Sequence, residues 1–99
     1  MVLDLFLIWY LVVGFLLGNG APHFTYGAAS KVFRSPFGQR SSPRTNILWG
    51  ISNFVAATVI SFALAVFGFY DGYSIVVLLL GFWLAMVMFG FGIKRFLND

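Results

Sequence analysis

Apolar residues fall into three long runs along this chain, and polar residues collect between them. The first run covers residues 2–18 and is interrupted only by Asp4. The second covers residues 46–70 and the third covers residues 73–93. At 1.5 Å per residue, about 20 apolar residues in a helix cross a hydrocarbon core ~30 Å thick. The pattern therefore predicts three transmembrane helices.

The first run has a competing interpretation as a cleaved signal peptide. Its start, MVLDLF, carries no positive charge, and the apolar run is long for the core of such a peptide. Ala21 would suit a cleavage site, but the bulky Asn19 precedes it and Pro22 follows it. We therefore expect a helix that is retained in the mature protein.

Only Asp71 and Gly72 separate the second run from the third, and this pair is a strong turn signal. Tyr70 and Tyr73 flank the pair, as aromatic rings do at a membrane interface. We expect the helices 46–70 and 73–93 to form a hairpin with almost no loop.

Composition agrees with a membrane protein. The chain of 99 residues is 61% hydrophobic and only 9% charged, whereas a soluble domain carries about 25% charged residues. Cysteine is absent, which excludes disulfides and thiolate chemistry. The net charge of +3 comes from few cations, so we expect contact with anionic headgroups and not with nucleic acid.

All six Lys and Arg residues fall on one side of this arrangement. Four lie in the segment 19–45 and two begin the tail 94–99, and with three spans these segments share a side. The opposite side carries Asp4 and Asp71 and no Lys or Arg. Because cytoplasmic loops are enriched in Lys and Arg, we expect the N-terminus outside and the C-terminus in the cytoplasm.

Small residues recur at four-residue spacing in the runs. In lipid such residues let helix backbones approach closely, although Gly and Ala are common in membrane helices in any case. The candidate packing positions are Gly14, Gly18, Gly50, Ala57, Ser61, Ala65, Gly81 and Ala85. Their spacing leaves open whether they meet within one chain or between copies.

The segment 19–45 interleaves aromatic and basic residues, as is typical of a headgroup interface. We expect a short interfacial helix over residues 25–34. The cations Lys31, Arg34, Arg40 and Arg44 have a simple interpretation as determinants of orientation. A more specific interpretation is that Arg40, Ser42 and Arg44, together with the first amides of the second helix, bind a phosphate.

The second run carries the only polar face inside a predicted span. Asn46, Gly50 and Asn53 are spaced four and three residues apart and so share one side of a helix. Asn46 is expected to cap the helix, and Trp49 to lie near the interface. Asn53 lies deeper, where an unpaired amide is costly, so it should face another helix or line a polar pocket under the loop.

His23 is the only histidine, and no acidic residue is near it in sequence. We therefore expect neither a metal site nor a catalytic triad at His23. We expect this side chain to donate a hydrogen bond to a carbonyl or a headgroup. No ionisable residue lies in the middle of a predicted span, which disfavours proton-coupled transporters. Because no phosphate loop, nucleophile elbow or zinc-protease motif occurs, we predict no catalytic residue, metal or cofactor.

Three short patterns resemble a set of small bacterial membrane proteins of uncharacterised function. The first is Asn-x-x-Pro-His-Phe at residues 19–24, and the second is Pro-Phe at residues 36–37. The third is Ser-Ser-Pro-x-x-Asn-x-x-Trp-Gly-x-x-Asn at residues 41–53. The resemblance covers about a third of the chain. It implies a bacterial inner-membrane protein and brings no activity with it.

We predict a single all-α membrane domain over residues 1–99, with helices 2–18, 46–70 and 73–93 and a basic-aromatic interfacial loop 19–45. The favoured function is non-enzymatic: an accessory or oligomeric protein whose loop binds anionic lipid headgroups or a partner. The first alternative is an enzyme or carrier for a phosphorylated or lipid-linked substrate, using His23, Arg40, Arg44 and Asn53. The second is a small oligomeric pore around the face from Asn46 to Asn53.

Overall fold

The chain folds into three α-helices. The computed structural model describes the backbone of residues 4–96 and the side chains of residues 4–92. The helices are α1 (Leu7–Ala28), α2 (Pro43–Val66) and α3 (Ser74–Phe96). Each is long and apolar enough to cross a membrane, and the described residues contain no β-strand. The prediction of an all-α protein with three candidate spans is confirmed.

Helix α1 lies between the other two helices. Both α2 and α3 pack along α1, whereas within the described part of the chain no Cα atom of α2 lies within 8 Å of one in α3. Gly18 faces α3 and Gly27 faces α2. Nine residues separate them, and at about 100° per residue this places them on opposite sides of α1. The predicted hairpin of the second and third helices is therefore wrong, because α1 separates two helices that are consecutive in sequence.

Small residues on both helices form the contact between α1 and α3. A Cβ atom added to Gly14 would overlap a backbone carbonyl of α3, and one added to Gly81 would overlap a backbone carbonyl of α1. Gly18 lies against Ala85, which is fully buried. The two backbones touch directly, as expected for helices that must gain their attraction from close packing.

Small residues also form the contact between α1 and α2. An added Cβ would lie 2.7 Å from a backbone atom of the opposite helix at both Gly27 and Gly50. Ala57 continues this face and is buried. Ser61 is half-buried, whereas Ala65 is exposed and so takes no part in packing within the chain.

Helix α1 continues through residues 19–28, which were predicted to belong to the loop. Pro22 removes one helical hydrogen bond, yet membrane helices tolerate Pro and Gly where neighbouring helices support them. Helix α2 provides such support because it lies directly against Gly20. His23 consequently lies inside a candidate span, which weakens the argument against proton-coupled transport. The predicted start of this helix at residue 2 lies outside the described residues, but residues 4–6, which were predicted to be helical, precede α1, which begins at Leu7.

The C-terminal ends of α1 and α2 share one backbone motif. A residue with positive φ follows each helix, Ser30 with φ of 61° and Gly68 with φ of 74°. The amides that follow bond back to the last carbonyls of the helix, which is a Schellman motif. The interfacial helix predicted for residues 25–34 is therefore wrong, and α2 ends at Val66, four residues before the predicted end.

Ser42 caps the N-terminus of α2. Its hydroxyl oxygen accepts a hydrogen bond from the Thr45 amide at 3.2 Å, and Pro43 follows as the first helical residue. The prediction that Asn46 caps this helix is wrong, because Asn46 lies one turn inside α2 and is fully buried.

The segment before α3 forms the turn that was predicted at Asp71 and Gly72. The Asp71 carboxylate accepts from the Tyr73 amide at 2.8 Å, and the Ser74 hydroxyl accepts from the Asp71 amide at 3.0 Å. These bonds satisfy the amides of Asp71 and Tyr73 in the turn immediately before α3. The backbone of α3 extends through residues 94 and 95, which were assigned to the tail, whereas residues 97–99 lie outside the described part.

The outward faces of the helices are covered with large apolar side chains. Monomeric soluble proteins rarely expose apolar patches larger than a few hundred Å². Here the exposed apolar side chains include Trp9, Leu48, Val55, Val59, Phe62, Ile75, Leu80, Trp83 and Val87. This surface is compatible with a multi-pass membrane protein.

Candidate functional site

A cleft of about 610 Å³ lies beneath the loop that joins α1 to α2. We call it the loop cleft. All three helices and the loop contribute to its lining, which includes Asn19, His23, Arg34, Gln39, Trp49, Met88 and Phe89. Three of the predicted ligand-binding residues, His23, Arg34 and Trp49, therefore line one cavity.

Asn46 joins the loop to α1 and α2 from a fully buried position. Its amide nitrogen donates to the backbone carbonyl of Phe33 at 2.6 Å and lies 3.3 Å from the carbonyls of Ser41 and Ser42. Since carbonyls only accept hydrogen bonds, the nitrogen must face the loop and the oxygen Oδ1 must face α1. The orientation of this amide is thus set by its surroundings.

His23 meets that oxygen. Its Nδ1 atom lies 2.8 Å from Oδ1 of Asn46 and must carry a hydrogen, because Oδ1 can only accept. The imidazole also packs edge-on against Phe33 and Phe89, with ring centroids 5.2 and 5.7 Å away. His23, which lines the cleft, therefore links α1 to both the loop and α3.

A second polar link crosses from α1 to α2 one turn deeper. The Asn19 amide donates to Oδ1 of Asn53 at 3.0 Å, and the Asn53 amide donates to the Trp49 carbonyl at 2.8 Å. The expectation that Asn53 faces another helix agrees with this bond. Asn19 and His23 are one turn apart, so the two links form a ladder along one side of α1.

Trp49 carries an unusual atom. Its indole Nε1 is buried, and it is the one buried side-chain nitrogen or oxygen among the described residues that has no hydrogen-bond partner. The ring lies in the wall of the cleft and packs edge-on against Phe37, with centroids 5.5 Å apart. A buried donor that lacks a partner is costly, so this position favours an acceptor supplied from outside the chain.

The loop itself is a compact hairpin held by its serines. The backbones of Ser35 and Gly38 bond to each other at 3.0 and 3.1 Å, and the hydroxyls of Ser35 and Ser41 lie 2.5 Å apart. Phe33 is fully buried and stacks on Tyr26 at 5.0 Å, so this ring anchors the loop to the helices and does not insert into headgroups. The hairpin places exposed Arg34 at the rim of the cleft.

The other predicted ligand-binding residues lie elsewhere. Lys31, Arg40 and Arg44 are exposed and do not line the cleft. The Ser42 hydroxyl serves the helix cap and donates to Thr45 Oγ1 at 2.9 Å. The predicted phosphate site of Arg40, Ser42 and Arg44 therefore does not coincide with the cavity, whereas Arg34, His23 and Trp49 do.

Seven residues that line the cleft were not among the predicted site residues: Asn19, Ser35, Pro36, Gly38, Gln39, Met88 and Phe89. Asn19 and His23 have the four-residue spacing of a shared helix face, a signal that was hidden because their segment was predicted to be a loop. Met88 and Phe89 carry no signal, because they resemble any other apolar residues of a membrane helix.

The described residues contain no group of three His, Cys, Asp or Glu side chains that could hold a metal ion. Comparison with protein-family models, with curated proteins and with solved structures gave no match.

Proposed function

We propose that this chain is a small, non-enzymatic membrane protein that binds an anionic lipid headgroup in the loop cleft. The observation that carries the proposal is the pairing of a guanidinium at the rim with a buried indole N–H that lacks a partner in the wall. Arg34 supplies the charge, and Trp49, which also lines the cleft, supplies the buried N–H that lacks a partner. Guanidinium groups bind phosphate with paired hydrogen bonds, which suits a phospholipid.

We further propose that the cleft opens at the cytoplasmic side of a bacterial inner membrane. The loop and the last turns of α3 lie at the same end of the bundle, since the rings of His23 and Phe89 are in contact. That end carries every Lys and Arg of the sequence, and the other end carries none. The positive-inside rule supports this orientation, and anionic lipids are abundant in cytoplasmic leaflets.

The test measures the lipid affinity of two variants. Each variant loses one positive charge, and the two differ in the position of that charge. R34Q removes the cation at the rim of the cleft, whereas R40Q removes an equally exposed cation of the same loop away from the cleft. The purified proteins would be compared by native mass spectrometry with phosphatidylglycerol and phosphatidylcholine. We expect R34Q to lose about fivefold or more in phosphatidylglycerol affinity, since hydrogen bonds to charged groups are the stronger class.

R40Q should bind phosphatidylglycerol nearly as wild type does, because exposed charges contribute little individually. Equal losses in the two variants would reduce the interaction to general electrostatic attraction and refute a site in the cleft. Wild-type binding by R34Q would refute the proposal outright.

One observation favours a second candidate, an enzyme or carrier for a phosphorylated or lipid-linked substrate. His23 and Asn53 do not face lipid; each is buried in the polar ladder beside the cleft. The mass of the bound lipid, measured before and after incubation with the protein, distinguishes lipid binding from an enzymatic reaction on the lipid. A changed lipid mass that depends on His23 would favour chemistry over binding.

The pore alternative gains no support from the single chain, because Asn46, Gly50 and Asn53 are buried against α1. Association with a second copy or a larger membrane protein stays a proposal, and the exposed apolar faces of α2 and α3 leave room for it.

A further inference from the structure

The polar groups of the loop cleft lie at graded depths below the loop. Arg34 belongs to the loop, Trp49 lies six residues inside α2, and Asn19 lies nine residues before the end of α1. At 1.5 Å per residue these positions are about 9 Å and about 14 Å from the helix ends. A ligand that reached all of them would carry polar atoms well below its anionic group.

The cleft also has an opening towards the side of the bundle. Its walls come from α2 and α3, whose backbones do not pack against each other in the described part of the chain, and α1 lies between them. Met88 lines the cleft while 55% of its surface remains exposed, whereas neighbouring Phe89 is 8% exposed. Met88 therefore marks a lateral mouth that faces the surroundings of the helices, and Phe89 belongs to the inner wall.

From this geometry we infer that the ligand is an ester-linked diacyl glycerophospholipid that enters sideways from the surrounding leaflet. This inference rests on the proposed function and names its ligand. The lipid phosphate meets Arg34, and an ester carbonyl, one glycerol unit below, accepts from the Trp49 indole N–H. The acyl chains leave through the mouth at Met88.

A water-soluble phosphate compound fits this geometry less well. It would satisfy Arg34 at the rim but would leave the Trp49 donor, deeper in the wall, without an acceptor. An ether-linked phospholipid has the same headgroup and chains but lacks both ester carbonyl oxygens. The difference in affinity between the ester lipid and the ether lipid therefore reports the contact at Trp49, because both lipids keep the phosphate that meets Arg34.

The experiment uses the full chain in detergent and native mass spectrometry with three probes. These are ester-linked phosphatidylglycerol, its ether-linked analogue with matched chains, and glycerol 1-phosphate. For the wild type we expect the ester lipid to bind about two- to tenfold more tightly than the ether lipid, which corresponds to one neutral hydrogen bond. Glycerol 1-phosphate should show no saturable binding.

Trp49→Phe keeps an aromatic ring at this position and removes the N–H donor together with part of the indole, so the ratio of ester to ether affinity within the variant, and not either affinity alone, reports the lost hydrogen bond. In this variant we expect ester and ether lipids to bind equally, at the wild-type ether level. R34Q should lower the affinity for the ester lipid and for the ether lipid by the same factor, so that the ratio of the two affinities stays as in the wild type. Helical content measured by circular dichroism checks that both variants remain folded, and a ratio of two affinities within one variant is insensitive to partial loss of protein.

Two outcomes overturn the inference while leaving the proposed function in place. One is equal affinity of the wild type for ester and ether lipids, and the other is an unchanged ester preference in Trp49→Phe. In both cases R34Q would still bind weakly. Tight binding of glycerol 1-phosphate would also overturn the inference and would identify a soluble phosphate compound as the ligand. Undiminished binding by R34Q would instead overturn the proposed function itself.

Discussion

The Nδ1 atom of His23 and the Oδ1 atom of Asn46 lie 2.8 Å apart at the buried junction of α1, α2 and the loop. Neither side chain could be placed there from its sequence neighbourhood. Asn46 turns its amide nitrogen towards the carbonyls of the loop, and His23 supplies the hydrogen that the amide oxygen needs. This pair therefore links the loop to α1 and α2 at once.

The first prediction concerns the tautomer of His23. The neutral ring should carry its hydrogen on Nδ1, because Nδ1 faces an oxygen that can only accept. As the sole histidine, His23 gives one unambiguous pair of ring signals in 15N NMR of histidine-labelled protein. We expect Nδ1 to give the signal of a protonated nitrogen. N46L should abolish this preference, and a neutral ring protonated on Nε2 in the wild type would contradict the hydrogen-bond network.

The second prediction concerns the contact between α1 and α3. G81A should destabilise the bundle by about 1–3 kcal/mol, the usual cost of overpacking, because the added methyl group would overlap a backbone carbonyl of α1. The matched control on the same helix is G90A, where nothing lies within 4 Å of the added Cβ. That change should be neutral or stabilising by up to about 1 kcal/mol, since Ala favours helix over Gly. SDS-induced unfolding followed by circular dichroism measures both.

The third prediction compares the ends of α1 and α2. Ser30 has a left-handed φ of 61° that Gly adopts at less cost. S30G should therefore stabilise the protein by about 0.5–1 kcal/mol. The reciprocal change, G68A, places a side chain at the equivalent position of α2, where φ is 74°, and should destabilise by about 1 kcal/mol. Shifts of the same sign in SDS-induced unfolding would contradict the shared motif.

The fourth prediction concerns orientation. The chain has no cysteine, so a single introduced thiol reports its own side of the membrane without background. R40C probes the loop, and G72C probes the turn before α3, where nothing lies within 4 Å of an added Cβ. In intact cells a membrane-impermeant maleimide should label G72C and leave R40C unlabelled until the cells are opened. The reverse pattern would invert the proposed topology.

Several features could be predicted from local patterns. Three apolar runs of sufficient length predict three helices, because a backbone surrounded by lipid must satisfy its hydrogen bonds internally. The small residues of α1 and α3 and the face of Asn46, Gly50 and Asn53 were identified by spacing, since 3.6 residues per turn place them together in any helix. The turn at Asp71 and Gly72 follows from side chains that bond to adjacent amides.

Other features depend on which helix packs against which, and tertiary structure alone decided them. Residues 19–28 contain Gly and Pro, which end helices in water, and they remain helical here because α2 lies against Gly20 and Gly27. The hairpin of α2 and α3 was expected from the short connection between them. It does not form because α1 carries close-packing glycines on two opposite sides and so takes a partner on each.

Tertiary structure also decided which residues form the candidate site. Sequence alone determined that cations, aromatic rings and a polar helix face occur near one another along the chain. Only the fold selected Arg34 and Trp49 from among them and left Arg40 and Arg44 outside the cleft. The physical reason is that a site is a relation between backbones distant in sequence, and here the burial of Phe33 and the bonds of Asn46 fix the loop that brings them together.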